Sequence, residues 1–354
     1  MLIDSEVETR MRTFFGNRVI KTGISVFLTA IICEWLNWPP VFAVITAIVT
    51  VEPTVSDSIK KGIIRFPASA IGSAYAVFFI ALFGNSPITY TLAAVLTILT
   101  CYKLNLHSGL LVATLTAVAM VEVIHSNYLI SFFIRLGTTT TGLLVSTLVN
   151  FLIFPPDYRD DIIRNIQAIG KRTGVVLEKT FRNILYDPDE NHIDQTKINQ
   201  LDKSIRRTES LIRFQKDESK LHPLVGGDKG QFRTSEKQLA FLHALEYHLD
   251  YLIQMPINKI SWSKSERDLI MEAVIELGGS LRNRTNYDPD QHKQRLREIT
   301  EIFWEDNEEI TKGNHIHPTR FPPELILLYE LVSIYNLVES FYNPDNVKPS
   351  RKKS

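Results

Sequence analysis

Two glutamate–arginine pairs in an apolar part of the chain are the residues best suited to chemistry. Arg65 follows Glu52 by 13 residues, and Arg135 follows Glu122 at the same spacing. Charged side chains within apolar helices are costly and often mark a substrate or ion pathway. We expect each arginine to pair with its glutamate. Such arginines could attract an anion while the carboxylates move protons or act as gates, or the pairs could simply lock helix packing.

Further polar side chains lie close to these pairs. Lys60 and Lys61 precede Arg65, and a threonine run from Thr138 to Thr141 follows Arg135. Hydroxyls on helices can hydrogen-bond across a helix contact or line a polar path. The predicted pathway candidates are therefore Glu52, Lys60, Lys61, Arg65, Glu122, Arg135, Thr138 and Thr141.

Other chemistry finds little support in the residue pattern. Cys33 and Cys101 lie in apolar runs, so neither a disulfide framework nor a cysteine metal site is expected. The glycine-rich stretch 225–230 lacks the spacing that cradles phosphates, which excludes a nucleotide-driven pump. We expect no enzymatic activity, no cofactor and no metal. Four histidines are interpreted as solvated surface residues: His243, His248, His315 and His317.

Charge divides the chain into two unlike parts. Residues 1–156 hold 16 of the 78 Asp, Glu, Lys and Arg residues, and residues 157–354 hold the other 62. A net charge of zero gives no reason to expect a nucleic-acid partner. The division predicts an integral membrane protein, in the cell membrane, with a water-soluble C-terminal part.

The apolar part contains six candidate spans, since roughly 20 apolar residues cross a bilayer. They cover residues 19–35, 41–51, 62–83, 88–102, 109–124 and 128–154. Lys and Arg occur before the first span and after the second, fourth and sixth, but not in the other loops. Because cytoplasmic loops are rich in basic residues, this alternation predicts a multi-pass topology with both termini in the cytoplasm.

An internal repeat at an offset of 70 residues relates the two halves of this region. Comparing 41–78 with 111–148 gives 9 identities in 38 positions, including the pairs Glu52–Glu122, Arg65–Arg135 and Gly72–Gly142. Each repeat, about 19–86 and 87–156, contains three spans. An odd number inverts the second copy, as in many secondary transporters, and points to a binding site near the midplane.

The charged part shows apolar residues at helical spacing. Six helices are predicted at 157–186, 194–220, 233–255, 263–285, 289–312 and 321–342. The predicted organisation is an N-terminal cytoplasmic segment (1–18), a transmembrane domain (19–156), a cytoplasmic helical bundle (157–345) and a disordered basic tail (346–354).

The pattern resembles the aromatic acid exporter family, in its bacterial branch with one six-span unit and a C-terminal helical domain. The residues that carry the resemblance are Trp38-Pro39-Pro40, Glu52-Pro53-Thr54, Ser58, Gly62, Arg65, Ser69 and Gly72. The resemblance implies efflux of hydroxylated aromatic carboxylates without ATP. The chain departs from the family pattern at Pro67-Ala68, where Gly-Thr is expected, and this leaves the substrate open.

Three hypotheses follow. The first is a secondary exporter of organic anions. The second is a dimeric anion channel resembling plant malate channels, lined by Lys60, Lys61, Arg65 and Arg135. The third is a membrane-anchored scaffold whose helical domain binds a partner. The expected partners are the lipid bilayer, an organic anion and a second copy of the chain.

The predicted topology can be tested by labelling single cysteines in intact cells, in a background without native cysteines. An impermeant reagent should reach cysteines placed at Asn37, Asn85 and Asn127, but not at Ser58 or Asn105. Labelling at either of the last two positions contradicts the six-span arrangement.

Overall fold

A computed structural model of the chain describes residues 2–123, 127–153, 156–186, 195–221, 223–224, 226–255, 260–312 and 322–344. Within these ranges the regular structure is helical and contains no strand, so the predicted all-α class is confirmed there. The basic tail and the histidines at 315 and 317 lie outside the described residues.

Twelve α-helices occur in the described part of the chain. The first six are α1 (Leu2–Trp35), α2 (Pro40–Thr50), α3 (Val55–Phe83), α4 (Pro87–Lys103), α5 (Leu110–Val123) and α6 (Tyr128–Leu152). The other six are α7 (Arg159–Tyr186), α8 (Gln195–Glu218), α9 (Gly227–Gln254), α10 (Lys264–Arg282), α11 (Pro289–Lys312) and α12 (Pro323–Tyr342).

Each predicted span coincides with one helix, with one informative difference at α3. This helix begins at Val55, seven residues before the predicted start at Gly62. The cause is an N-cap: the Thr54 hydroxyl accepts a hydrogen bond of 3.0 Å from the backbone N–H of Asp57. Capping satisfies an otherwise unpaired helix donor, so the polar stretch before the apolar run is helical too.

Helices α1 and α4 end in the same way. Asn37 and Asn105 adopt positive φ angles of 55° and 57°. Just beyond them, the backbone N–H groups of Trp38 and Leu106 donate to the carbonyls of Cys33 and Cys101, both at 2.8 Å. A left-handed residue with this bond back to the last turn is a common helix stop, and Asn is among the residues that tolerate it.

The described residues form two compact units. The first comprises 1–157 with 216–223, and the second comprises 158–215 with 224–354. In the first unit, α3 packs against α4, α5 and α6, while α6 packs against α1, α2 and α3.

Two glycines allow very close helix contacts in the first unit. A Cβ atom on Gly72 of α3 would lie 2.3 Å from the Ala113 carbonyl oxygen of α5. A Cβ atom on Gly142 of α6 would lie 2.4 Å from the Ala43 carbonyl oxygen of α2. Small residues at such contacts let backbones approach within reach of side chains that could not otherwise meet.

The first unit buries hydroxyls and exposes large apolar side chains. Buried polar residues include Thr46, Thr50, Ser69, Ser73, Thr139 and Ser146. Exposed apolar residues include Phe27, Ile63, Leu99, Leu111, Leu129, Phe133 and Leu152. Extensive apolar exposure on a polar interior suits a lipid environment, and the protein is a membrane protein.

By length and composition, three of the described helices could cross a membrane: α3, α6 and α12. Two shorter apolar helical stretches occur at Pro40–Thr50 and His107–Glu122. In α12 the apolar side chains of Leu328, Leu331 and Val338 are buried in the core of the second unit. Its composition is thus explained by internal packing, as for a helix buried on most sides. Six spans stays a prediction.

The second unit is built around one hydrophobic core. Helix α7 packs on α9 and α10, and α12 packs on α9 and α11. Core side chains come from α7–α12, among them Ile162, Phe181, Leu201, Leu242, Val274, Ile299 and Leu328. The acidic residue Glu330 of α12 is buried there and lies 2.5 Å from His248 Nδ1. A buried carboxylate of this kind requires such a partner.

The close helix contacts predict a contrast between glycines. Gly72→Ala and Gly142→Ala place a methyl group against a backbone oxygen, and overpacking of this kind costs about 1–3 kcal/mol. Gly62→Ala is the matched control, because its nearest atom would be Leu143 Cδ2 at 3.7 Å. We expect the first two variants to unfold at lower temperature in detergent and the control to be unchanged or slightly stabilised. Equal behaviour of all three would contradict the contacts.

Candidate functional site

The centre of the first unit contains a buried arginine surrounded by hydroxyl groups. Arg135 of α6 is only 3% exposed. Its Nη2 donates to the hydroxyl of Thr116 on α5, and its Nη1 lies 3.5 Å from the Thr138 hydroxyl. The guanidinium carbon is 4.3 Å from the centroid of the Phe42 ring, a cation–π contact.

Hydroxyls extend this polar group to a third helix. The Ser69 hydroxyl of α3 lies 3.4 Å from that of Thr116 and 3.3 Å from that of Thr139 on α6. Thr139 also donates to the carbonyl of Arg135 at 2.9 Å. We call Ser69, Thr116, Arg135, Thr138 and Thr139 the arginine–hydroxyl cluster.

The positive charge of this cluster is not balanced by a carboxylate. Among the described residues, no Asp or Glu forms an ion pair with Arg135, and its buried Nε has no hydrogen-bond partner. Hydroxyls and an aromatic face solvate a guanidinium only partly, and a buried charge without a counter-ion is costly. The arrangement can therefore accept an anion that offers oxygen atoms to a planar donor fork.

The expected pairing of Arg135 with Glu122 does not occur. Glu122 is exposed and accepts a hydrogen bond from the hydroxyl of Tyr90 on α4. Arg135 instead reaches Thr116, which precedes Glu122 by six residues on α5, or about 9 Å at 1.5 Å per residue. The pairing prediction is wrong because it considered adjacent helices without their relative height.

The expected pairing of Arg65 with Glu52 is present in the structure. Arg65 Nη2 and Lys61 Nζ each lie 2.8 Å from one carboxylate oxygen of Glu52. Arg65 also donates to the carbonyls of Val49 at 3.1 Å and Ser108 at 3.3 Å. The Glu52–Arg65–Lys61 group thus connects the turn after α2 to α3 and to the segment before α5.

Several buried polar residues next to this group were not predicted as site residues. Lys21 of α1 donates to the Asn150 side-chain oxygen at 3.0 Å. The Asn150 amide donates to the Glu52 carbonyl at 3.1 Å and to the Ser58 hydroxyl at 2.9 Å. Their signal in the sequence was a lysine and an asparagine within apolar spans, where polar residues usually face the protein interior.

A carboxylate from a distant part of the chain also belongs to the first unit. Glu218 is buried and accepts a hydrogen bond of 3.1 Å from the backbone N–H of Val55, in the first turn of α3. Negative charge is favourable at a helix N-terminus, where N–H groups are unpaired. Sequence spacing offered no signal for this contact across 163 positions.

The eight predicted pathway residues therefore fall into three places. Arg135 and Thr138 belong to the arginine–hydroxyl cluster, and Glu52, Lys61 and Arg65 form the second group. The other three lie in neither. Lys60 is exposed and lies 3.8 Å from Asp217, Thr141 donates to the Gly137 carbonyl of its own helix at 2.9 Å, and Glu122 pairs with Tyr90. Their roles in a pathway stay predictions.

An all-helical unit that exposes apolar surface and buries an arginine among hydroxyls defines a membrane protein with a polar, charged interior. Residues 13–153 match the family described as "Aromatic acid exporter family member 1". The chain belongs to the aromatic acid exporter family.

Relatives of similar length extend the likeness across the whole chain. A UPF0421 protein of Oceanobacillus iheyensis is 47% identical over 340 residues, covering 96% of this chain and 98% of that protein. A UPF0421 protein of Bacillus cereus is 40% identical over 334 residues, with 94% and 95% covered. One of Staphylococcus haemolyticus is 33% identical over 336 residues, with 94% and 98% covered.

Double-mutant cycles should separate the two glutamate–arginine pairs. Breaking a buried ion pair by removing one partner costs about 3–5 kcal/mol, so Glu52→Gln and Arg65→Gln should each destabilise the protein strongly. Together they should cost less than their sum, because the double variant leaves no uncompensated partner. The cycle with Glu122→Gln and Arg135→Gln is the control and should be additive within about 0.5 kcal/mol. Thermal unfolding in detergent measures both, and equal coupling in the two cycles would contradict the structure.

Proposed function

We propose that this protein is a secondary exporter of organic carboxylates, aromatic ones in particular, and that Arg135 binds the carboxylate. The observation that carries the proposal is the charge imbalance at Arg135. This guanidinium is buried, has an open Nε, and forms no ion pair among the described residues. A substrate carboxylate would supply the missing negative charge and two acceptor oxygens.

The donor set around Arg135 favours a carboxylate over a larger or more highly charged anion. A planar guanidinium matches the two oxygens of a carboxylate in a bidentate arrangement. The hydroxyls of Ser69, Thr116 and Thr139 can donate further hydrogen bonds from three helices. One buried arginine balances one negative charge. The family description supplies the aromatic class of the substrate.

Structural equivalences support an inverted repeat of three helices. Gly72 meets Ala113 as Gly142 meets Ala43, and each residue of one contact is offset by 70 from its counterpart in the other. The matching helix stops after α1 and α4 add a second equivalence. Ser69 and Thr139 are also offset by 70 and lie 3.3 Å apart, so the arginine–hydroxyl cluster lies where a pseudo-two-fold axis would pass. In inverted-repeat transporters, substrates bind near such an axis at the midplane.

The two equivalent arginines suggest one state of an alternating-access cycle. Arg65 is bound by Glu52 on the side that the basic loops predict to be cytoplasmic, while Arg135 has no acidic partner. We infer that the Glu52–Arg65–Lys61 group is a closed cytoplasmic gate and that substrate binding at Arg135 accompanies rearrangement of the repeats. No nucleotide is required, because a gradient can drive such rocking.

Uptake of 4-hydroxybenzoate into proteoliposomes tests the proposal. The purified protein should accumulate this anion when a proton gradient is imposed and should discriminate against 4-hydroxybenzyl alcohol, which lacks the carboxylate. Arg135→Lys keeps the charge but loses the planar fork, so its apparent affinity should fall tenfold or more, equivalent to ~1.4 kcal/mol. Lys103→Gln, a change of an exposed basic residue at the end of α4, is the matched control and should transport normally.

Other results would replace the proposal with one of its alternatives. A current that does not depend on the gradient indicates an anion channel. The absence of any flux indicates a scaffold. Normal affinity in Arg135→Lys, at equal protein content, would remove Arg135 from the binding site even if transport occurs.

A further inference from the structure

Helices α8 and α9 of the second unit bring together three side chains that are common metal ligands. Asp202 lies on α8, and His243 and Glu246 lie on α9, three residues apart and therefore on one helix face. One oxygen or nitrogen atom from each lies within 4.8 Å of those from the other two. Ligands of one ion at about 2.0–2.2 Å from it lie ~3–4 Å apart, so side-chain shifts of ~1 Å would close the site.

Glu246 is the side chain that points to a ligand. It is 9% exposed and forms no hydrogen bond or ion pair with any residue that the structure describes. Burial raises the pKa of its carboxyl group, and the negative charge of Asp202 raises that pKa further. Buried carboxylates are normally paired or bound to a metal.

The surrounding charges leave this carboxylate without a counter-ion. Facing stripes of α8 and α9 carry four acidic residues and one arginine, namely Asp202, Glu209, Glu246, Asp250 and Arg206. Arg206 Nε lies 2.9 and 2.8 Å from the two oxygens of Asp202. The amides of Gln195 and Gln254 donate to Asp250 at 3.0 and 2.6 Å. Glu246 receives nothing comparable.

We propose that Asp202, His243 and Glu246 form a binding site for one divalent transition-metal ion, of which Zn²⁺ is the best match. One imidazole and two carboxylates suit Zn²⁺ or Mn²⁺, whereas Mg²⁺ and Ca²⁺ prefer oxygen ligands alone. Water would complete the coordination sphere.

Two neighbours are arranged to help or adjust this site. His243 Nδ1 lies 3.1 Å from Glu209, so a metal on Nε2 would leave Nδ1–H to donate to a carboxylate. Such an outer carboxylate fixes the ring and raises its basicity. Arg206 is largely exposed, so it can release one oxygen of Asp202 without leaving a buried charge. The bound ion would join α8 to α9 across two helices of the same unit.

The test uses the full-length chain without a histidine tag, purified in detergent and stripped with EDTA. Calorimetric titration with Zn²⁺ should give one ion per chain, and Mg²⁺ at the same concentration should not compete. Glu246→Gln and His243→Gln should each bind Zn²⁺ at least tenfold more weakly. Glu301→Gln, a change of an exposed acidic residue on α11, should bind like the unmodified protein.

A second measurement keeps the proposal decidable if one variant folds poorly. Zn²⁺ should raise the unfolding temperature of the unmodified protein and of Glu301→Gln, and this rise should be absent in His243→Gln. His243 is substantially exposed, so its replacement leaves the core intact. No saturable binding of Zn²⁺, or equal binding in His243→Gln, would overturn the site.

Discussion

The close contacts at Gly72 and Gly142 control the interior of the first unit. Each lets one helix backbone approach the carbonyl of another, at places where a Cβ atom would be 2.3 and 2.4 Å from an oxygen. Because these contacts draw α3 toward α5 and α6 toward α2, short side chains such as Ser69 and Thr139 can reach across. Longer residues at either glycine would separate the helices, and the hydroxyls that surround Arg135 would lose one another.

This tight packing also determines the electrostatics. Space in the interior is filled by Ser, Thr and Ala, which bring hydrogen-bonding groups but no negative charge. Arg135 is therefore held by hydroxyls and by the Phe42 ring, interactions that orient a guanidinium without neutralising it. The carboxylate that could have paired with it, Glu122, lies about two helical turns farther along α5. A local charge deficit follows from helix geometry.

Much of the helical architecture could be predicted, because hydrophobic length and helix-breaking residues are local properties. All six predicted spans are helices, and the Glu52–Arg65 pair forms across a short turn. What could not be predicted depends on the height of one helix relative to another. That relation decides that Arg135 meets Thr116, that Glu218 reaches Val55, and that Glu246 approaches Asp202. None of these contacts leaves a periodic signal in the chain.

The difference between Arg65 and Arg135 is the step that connects packing to function. The two residues occupy equivalent positions of the repeat, so the sequence alone treats them alike. In the structure, Arg65 has a carboxylate at 2.8 Å and two carbonyl acceptors, whereas Arg135 has hydroxyls and an aromatic ring. An inverted repeat that exchanges its two conformations would be expected to exchange such environments. The arginine without a carboxylate is then the one that can hold an anionic substrate, and the arginine with a carboxylate closes the opposite side.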